Sequence, residues 1–171
     1  MMNKKLLYCF VLSILVQSCC FYGDCTDDDI GMYQSPYEAV LITREALEAS
    51  VELKESRPIV NSGKIYVKDN LLIINEKNEG FHIYDNSNPE HPVALNFLKT
   101  PGATDIAIRN NMLYINQAVD LIAVMVTPNA ETITVTKRIR NTFPEMLAPD
   151  GSYAYDKAED EVVVNWIETL N

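Results

Sequence analysis

The sequence predicts an all-β fold of β-propeller-like repeats, about two and a half units of about 41 residues each, preceded by a short N-terminal helix. Three observations predict this fold class. Short apolar strands come in pairs around a polar bend, the pairs recur at a regular spacing, and these segments lack the apolar period of helical repeats. Several short strands per unit at such a period are typical of propeller blades. An ordinary β-sandwich with regularly spaced strands is the alternative.

The N-terminus has the layout of a secretory signal. Lys4 and Lys5 form a basic start, and the apolar run "LLYCFVLSILV" follows from Leu6 to Val16. Eleven residues are too few for a bilayer-spanning helix, which needs about 20, but they suit the apolar core of a signal peptide. We therefore predict a signal peptide at residues 1–18.

The stretch "VQSC", Val16 to Cys19, resembles a bacterial lipobox. The resemblance implies that the Cys19 thiol takes a diacylglyceryl group and that the signal is cut just before it. Cys20 competes for this role, and an ordinary secretory signal with a nearby disulfide cysteine is the alternative. Cys19 is thus the predicted lipidation site, and the membrane is the predicted partner through this anchor.

Residues 19–42 are predicted to form an acidic tether behind the lipid anchor, because they are polar and without period. Their acidic cluster resembles the export signal of surface lipoproteins in some Gram-negative anaerobes, although a plain solvated tether explains it as well. The expected location is therefore the bacterial outer membrane, on its periplasmic or cell-surface face. Cys20 and Cys25 either pair or stay free. The acidic cluster consists of Asp24, Asp27, Asp28 and Asp29.

Charge and composition argue against several classes of partner. The formal net charge is −10, and loss of Lys4 and Lys5 with the signal makes it about −12, so nucleic acid is an unsuitable partner. The two histidines, His82 and His91, stand nine residues apart and far from the cysteines. We therefore predict no metal site and no cofactor.

A short helical segment is predicted at residues 43–56. Thr43 can cap a helix whose first turn holds Glu45, and Leu47 and Val51 are four residues apart on one face. Pro58 then blocks continuation of the helix.

The predicted repeat domain covers residues 57–171. Its second strands open at Gly80, Asp120 and Glu161, and we expect Phe81 and Ile83 on one strand face with His82 on the other. Polar turns at 69–70 and 110–111, which align with each other in the repeat, lead into the first strand of two units. The three units contain "LLIINEKNEGFHIYDN" (71–86), "MLYINQAVDLIAVMV" (112–126) and "SYAYDKAEDEVVVNWI" (152–167).

The segments "FHIYD" with its trailing "NSNP", and "DLIAVMVTP", resemble the LVIVD repeat. The resemblance extends over about residues 43–167 and implies an envelope lipoprotein with β-propeller-like repeats. Met125 stands where the repeat has its Asp, and the third copy is short. The resemblance is informative about fold and says little about function.

No catalytic motif is recognisable in the sequence. It has no glycine-rich phosphate loop, no GxSxG element and no paired-histidine metal motif. We therefore predict a non-catalytic binding or scaffold module for protein or glycan, with catalytic and ligand-binding residues unassigned. Tyr153 and Trp166 are aromatic candidates for stacking on a sugar. The alternative is a fragment of an envelope hydrolase or lyase with carboxylates on the blade loops.

The C-terminal strand predicts self-association. Val162, Val164 and Trp166 come just before the last residue, with no further repeat after them to cover their apolar surface. We therefore expect the mature chain to associate with itself, to need a partner or to be poorly soluble.

Overall fold

A computed structural model describes residues 35–127 and 130–169. This part of the chain is mostly β-structure, arranged in three antiparallel sheets of which none closes on itself. The all-β prediction is therefore confirmed. The predicted signal peptide, Cys19, Cys20, Cys25 and the acidic cluster lie outside the described residues.

The described residues form eleven short strands and one helix. In chain order they are β1 (Tyr37–Thr43), α1 (Arg44–Ala49), β2 (Glu52–Glu55), β3 (Ser62–Lys68), β4 (Leu71–Glu76), β5 (Gly80–Asp85), β6 (Val93–Lys99), β7 (Ala103–Arg109), β8 (Met112–Gln117), β9 (Asp120–Val126), β10 (Ile133–Ile139) and β11 (Glu161–Glu168).

Three predicted boundaries differ from the structure. The end of the predicted tether, residues 37–42, belongs to β1, because "YEAVLIT" finds a strand partner far along the chain. The predicted helical segment 43–56 contains α1, whose N-cap Thr43 accepts a hydrogen bond from the Ala46 amide at 3.2 Å, and then turns into strand β2. Residues 152–160, predicted to hold the first strand of the third unit, form turns and irregular chain instead.

Two of the sheets repeat the same arrangement. In the first repeat sheet the strand order is β2-β6-β5-β4-β3, and in the second repeat sheet it is β10-β9-β8-β7. The strands β3 and β7 begin at Ser62 and Ala103, and β5 and β9 begin at Gly80 and Asp120, so equivalent strands are separated by nearly the same length of chain. The spacing seen in the sequence thus corresponds to two successive four-stranded meanders. The strand β2 adds a fifth strand to the first of them.

Each repeat sheet has two faces, which we define by cross-strand rows of side chains. Face 1 carries the row Ile65, Ile74, His82 in the first repeat sheet and the row Ile106, Ile115, Ile122 in the second. Face 2 carries the row Tyr66, Ile73, Ile83 in the first and the row Ala107, Tyr114, Ala123 in the second. Successive residues of a strand point to opposite faces, so these rows fix the direction of their neighbours.

The main core lies between face 2 of the first repeat sheet and face 1 of the second. Ile73, Phe81 and Ile83 from the first pack in one cluster with Ile115 and Ile122 from the second. Each of these five side chains is at most 2% exposed. Phe81 and Ile83 therefore share a face and His82 lies on the other, as the sequence predicts.

The third sheet, which we call the closing sheet, pairs β1 with β11 antiparallel. The Arg44 amide donates to the Asp160 carbonyl at 2.7 Å, just as the Thr100 amide after β6 donates to the Glu79 carbonyl at 2.8 Å. Residue 79 comes just before β5, and residue 160 comes just before β11, so β11 corresponds to β5. A strand from the start of the described chain thus takes the place that the fourth strand has in a repeat sheet.

The closing sheet corrects the expectation that the last strand lacks cover. Val162 and Val164 are each 4% exposed and pack with Leu47 of α1 and with Val119 at the β8–β9 turn. Trp166 is half-buried, and its indole Nε1 donates to the Met146 carbonyl at 3.1 Å. The chain covers this strand with its own residues.

Candidate functional site: the cleft between the repeat sheets

The candidate site is a cleft at the end of the main core where the first turn of each repeat sheet lies. The turns Asp69–Asn70 and Asn110–Asn111 join the first two strands of their sheets. Asp69 and Asn110 both have φ of 53°, a left-handed conformation that Asp and Asn tolerate well. The sequence prediction of equivalent polar turns is therefore confirmed.

Backbone hydrogen bonds hold both turns in equivalent places. The Asn70 carbonyl accepts from the Asn86 amide at 2.7 Å, and the Asn111 carbonyl accepts from the Val126 amide at 3.0 Å. Each bond ties the turn to the end of the third strand of its own meander. Equivalent backbone hydrogen bonds thus position the two turns that form the rim of the cleft.

The cleft has a volume of about 540 Å³, which is within the range of ordinary small-molecule sites. Its floor is apolar and comes from both repeat sheets, with Ile73 and Ile83 on one side and Ile108 and Leu113 on the other. Its rim is polar and carries Lys68, Asp69, Asn70, Asp85, Ser87, Asn110, Asn111 and Thr127. Such a lining suits a ligand with an apolar body and hydrogen-bonding edges.

The carboxylates of the rim have partners within the chain. Asp69 pairs with the neighbouring Lys68. Asp85 Oδ1 accepts hydrogen bonds from the Ser87 hydroxyl at 2.5 Å and from the Ser87 amide at 2.8 Å, which hold the pKa of Asp85 below its ordinary value. Asp85 is therefore ionised at neutral pH and serves as a turn-forming acceptor.

The predicted histidines lie away from the cleft. His91 is exposed in the turn before β6. His82 is 1% exposed, and its Nε2 lies 2.9 Å from Glu76 Oε2 while its ring packs against Phe97 with centroids 4.8 Å apart. His82 is thus a packed side chain on the face of the first repeat sheet opposite the main core.

Glu76 is a buried acid that the sequence reasoning missed. It accepts hydrogen bonds from the amides of Val60, at 2.9 Å, and Asn61. Burial by itself raises the pKa of Glu76, but these amides and His82 outweigh that effect and lower it. The carboxylate anchors the β2–β3 connection to the sheet. In the sequence, the only signal of this role is that Glu76 falls on the same strand face as Ile74 and His82.

A second missed cluster centres on Asp120, whose side chain is fully buried. Its carboxylate accepts from Arg44 and Arg138, each at 2.8 Å, and from the Asn141 amide at 3.1 Å. Burial raises the pKa of Asp120, but the two guanidinium groups more than offset this and hold the pKa below its ordinary value. The cluster joins α1 to the second repeat sheet.

A third polar contact lies between β3 and β7, which are edge strands of the two repeat sheets. The Tyr66 hydroxyl donates to Asp105 Oδ1 at 2.6 Å, and Lys64 pairs with Asp105 Oδ2. Burial, followed by the hydrogen bond to Asp105, raises the pKa of Tyr66 to about 12. The hydroxyl therefore keeps its proton for donation at any physiological pH.

The aromatic candidates for sugar stacking also lie elsewhere. Tyr153 is 55% exposed and pairs with Tyr155 at 6.1 Å between ring centroids. Trp166 is held in the closing sheet by its bond to Met146. Neither ring is among the described residues that line the cleft.

Two further findings concern residues 35–127 and 130–169. Within these ranges no three His, Cys, Asp or Glu side chains come together in a way that could hold a metal ion. No helix in the same ranges is long and apolar enough to cross a membrane.

Comparison with known proteins adds no relative. The chain matches no family model, and no curated protein or solved structure is significantly similar to it. The resemblance to LVIVD-repeat lipoproteins therefore stays a prediction from the motifs.

Proposed function

We propose that this chain is a non-catalytic, lipid-anchored protein of the bacterial outer membrane whose β-propeller-like repeats form a binding or scaffold module for protein or glycan. The observation that carries the binding role is the cleft between the repeat sheets, with its apolar floor and repeated polar turns. The proposed lipid anchor at Cys19 is supported by the basic start, the apolar run and the stretch "VQSC".

The electrostatics of the cleft favour binding over catalysis. A glycoside hydrolase built on carboxyl groups needs one whose pKa is raised towards the working pH, to act as the general acid. The pKa of Asp85 is lowered instead, and Asp69 is engaged by Lys68. The rim thus offers fixed hydrogen-bond acceptors and amide donors rather than a general acid.

The binding role is tested by blocking the cleft. Asn111 is exposed at the rim, so Asn111→Trp places a bulky ring over the opening without disturbing the core. The probes are oligosaccharides released from bacterial surface polysaccharide and peptides from outer-membrane proteins, titrated against the ¹⁵N-labelled protein. We expect shifts at the amides of Asn70, Ser87 and Asn111 in the wild type, and at least a tenfold weaker response in the variant.

Glu159→Trp is the matched control, because Glu159 is exposed and does not line the cleft. The cleft assignment fails if no probe moves the rim amides, or if the control weakens binding as much as Asn111→Trp does.

The lipid anchor is tested separately by mass spectrometry of the native N-terminus. We expect a peptide that begins at Cys19 and carries acyl chains, and loss of membrane attachment in Cys19→Ala, since the eleven-residue apolar run is too short to hold the chain in a bilayer. An unmodified mature chain beginning at another residue would contradict this assignment.

A further inference from the structure

The floor of the cleft is aliphatic. Its apolar lining comes from leucine, isoleucine and valine side chains of both repeat sheets, with Ile73 and Ile83 on one side and Leu113 on the other. No aromatic ring is among the described residues that line the cleft. Burying a sugar ring against such a surface removes its hydroxyl groups from water, which costs free energy unless each finds a hydrogen bond. An aliphatic side chain has no polar group to desolvate, so it suits this floor better.

The rim of the cleft offers amide groups that the chain itself does not use. Asn70 and Asn111 occupy equivalent places in the two turns, both are exposed, and both line the cleft. Their side-chain amides make no hydrogen bond to another residue of the described ranges. An asparagine side chain both donates and accepts, and an extended peptide presents both N–H and C=O groups along its backbone. The two turns therefore suit a peptide backbone that crosses the opening.

One negative charge at the opening lacks a counterion. Asp85 comes two residues after Ile83 in β5, so both side chains lie on the same strand face. Its Oδ1 accepts the two hydrogen bonds from Ser87, while Oδ2 has no partner and no Lys or Arg of the described residues pairs with it. The other two charged side chains of the rim, Lys68 and Asp69, pair with each other. A cation beside the aliphatic floor is therefore favoured, and an anionic group such as a fatty-acid carboxylate or a phosphate is disfavoured.

We propose that the cleft binds an extended peptide segment of a partner protein, with an aliphatic side chain in the floor and a neighbouring Lys or Arg at Asp85. The proposal rests on the proposed binding role of the cleft, and it selects protein over glycan as the ligand. In this arrangement Asn70 and Asn111 bond the peptide backbone, the floor selects the aliphatic side chain, and the charge of Asp85 selects the basic neighbour.

The experiment titrates short capped peptides into the full ¹⁵N-labelled chain and follows the amides of Asn70, Ser87 and Asn111. The reference peptide is acetyl-Gly-Leu-Lys-Gly-amide. Replacing its Leu with Ser removes the aliphatic side chain, and replacing its Lys with Glu reverses the charge. We expect the reference peptide to bind about tenfold more tightly than the serine peptide, and about threefold more tightly than the glutamate peptide at low salt. The second ratio should approach one at high salt.

The role of Asp85 is tested with Asp85→Asn, which keeps an Oδ1 acceptor for Ser87 but removes the charge. We expect the preference for the lysine peptide over the glutamate peptide to fall about twofold in this variant. Glu159→Gln is the matched control, because it removes the same charge from an exposed residue that does not line the cleft, and it should keep the wild-type preference. Melting temperatures check that both variants fold. If Asp85→Asn does not fold, the salt dependence of the wild-type preference takes its place.

The outcomes separate this proposal from the binding role of the cleft. If surface oligosaccharides move the rim amides and the reference peptide does not, the cleft binds a ligand but the peptide assignment is overturned. Equal affinity for the leucine and serine peptides, or an unchanged charge preference in Asp85→Asn, overturns it as well. If neither peptide nor oligosaccharide moves the rim amides, the binding role itself fails and this proposal fails with it.

Discussion

At the scale of single residues, equivalent repeat positions carry different side chains because their surroundings differ. Glu76 and His82 of the first repeat sheet correspond to Gln117 and Ile122 of the second. Ile122 packs on a neighbouring sheet. His82 lies under the β2–β3 connection, which Glu76 holds by its bonds to backbone amides. In the first repeat sheet the polar pair Glu76 and His82 thus anchors the β2–β3 connection, whereas Ile122 at the equivalent place in the second repeat sheet packs on another sheet.

Asp120 is the residue whose replacement should be most informative. Asp120→Asn keeps the shape but loses the charge that two arginines contact, and we expect it to lower the free energy of unfolding by roughly 1.5–3 kcal/mol at pH 7. Asp156→Asn, at an exposed position, is the control and should change little. Urea denaturation at fixed pH gives both values.

The stability difference between the wild type and Asp120→Asn should depend on pH. The pKa of Asp120 is lower in the folded chain than in the unfolded one, so its carboxylate contributes its full stabilisation above the unfolded value of about 3.9. That contribution declines as the pH falls from there through the folded-state pKa. The difference between wild type and Asp120→Asn should therefore shrink below about pH 4. A difference that stays constant from pH 7 to pH 3 would show that the carboxylate charge is not what Asp120 contributes.

At the scale of elements, the pairing of β1 with β11 holds the closing sheet together. The register runs from Tyr37 opposite Glu168 to Thr43 opposite Glu161. Without β1, the strand β11 would lose its hydrogen-bonded neighbour and the packing of Val40 and Ile42 on its valines, and such edges open easily.

This dependence can be measured by comparing two shortened chains. One begins at Ser35 and keeps β1, and the other begins at Arg44 and lacks it. We expect the amides of β11 that bond to β1 to be protected from hydrogen exchange in the first chain and to exchange at least a hundredfold faster in the second, while those of β4 and β5 stay protected in both. Equal protection of β11 in the two chains would mean that the closing sheet does not need β1.

The elements also show what local sequence patterns can and cannot predict. The turns at 69–70 and 110–111, the strand openings at Gly80 and Asp120 and the opposite faces of Ile83 and His82 follow from turn chemistry and two-residue alternation. The strand nature of "YEAVLIT" escapes local patterns because its partner lies at the other end of the described chain. The stretch "SYAYD" has the composition of a strand, yet it has no neighbouring strand in the described residues to supply the hydrogen bonds.

At the scale of the whole molecule, the candidate site was only partly predictable. The polar turns that form the rim are visible as Asp-Asn and Asn-Asn pairs, but the cleft exists only because two sheets pack face to face. Convergence of this kind depends on tertiary packing, which no single segment encodes. The buried acids Glu76 and Asp120 were missed for the same reason, since the amides and guanidinium groups that hold them belong to other elements of the fold.

The closing sheet also determines when the fold can be completed. The Thr169 amide donates to the Pro36 carbonyl at 2.7 Å, so the two ends of the described region meet. During synthesis β1 leaves the ribosome before the other described strands, but its partner β11 is made after all of them. The repeat sheets join strands that are near one another in the chain, whereas β1 pairs only with the last described strand. We therefore expect the closing sheet to form late, because it joins the earliest strand of this region to its latest one, which no partly made chain can do.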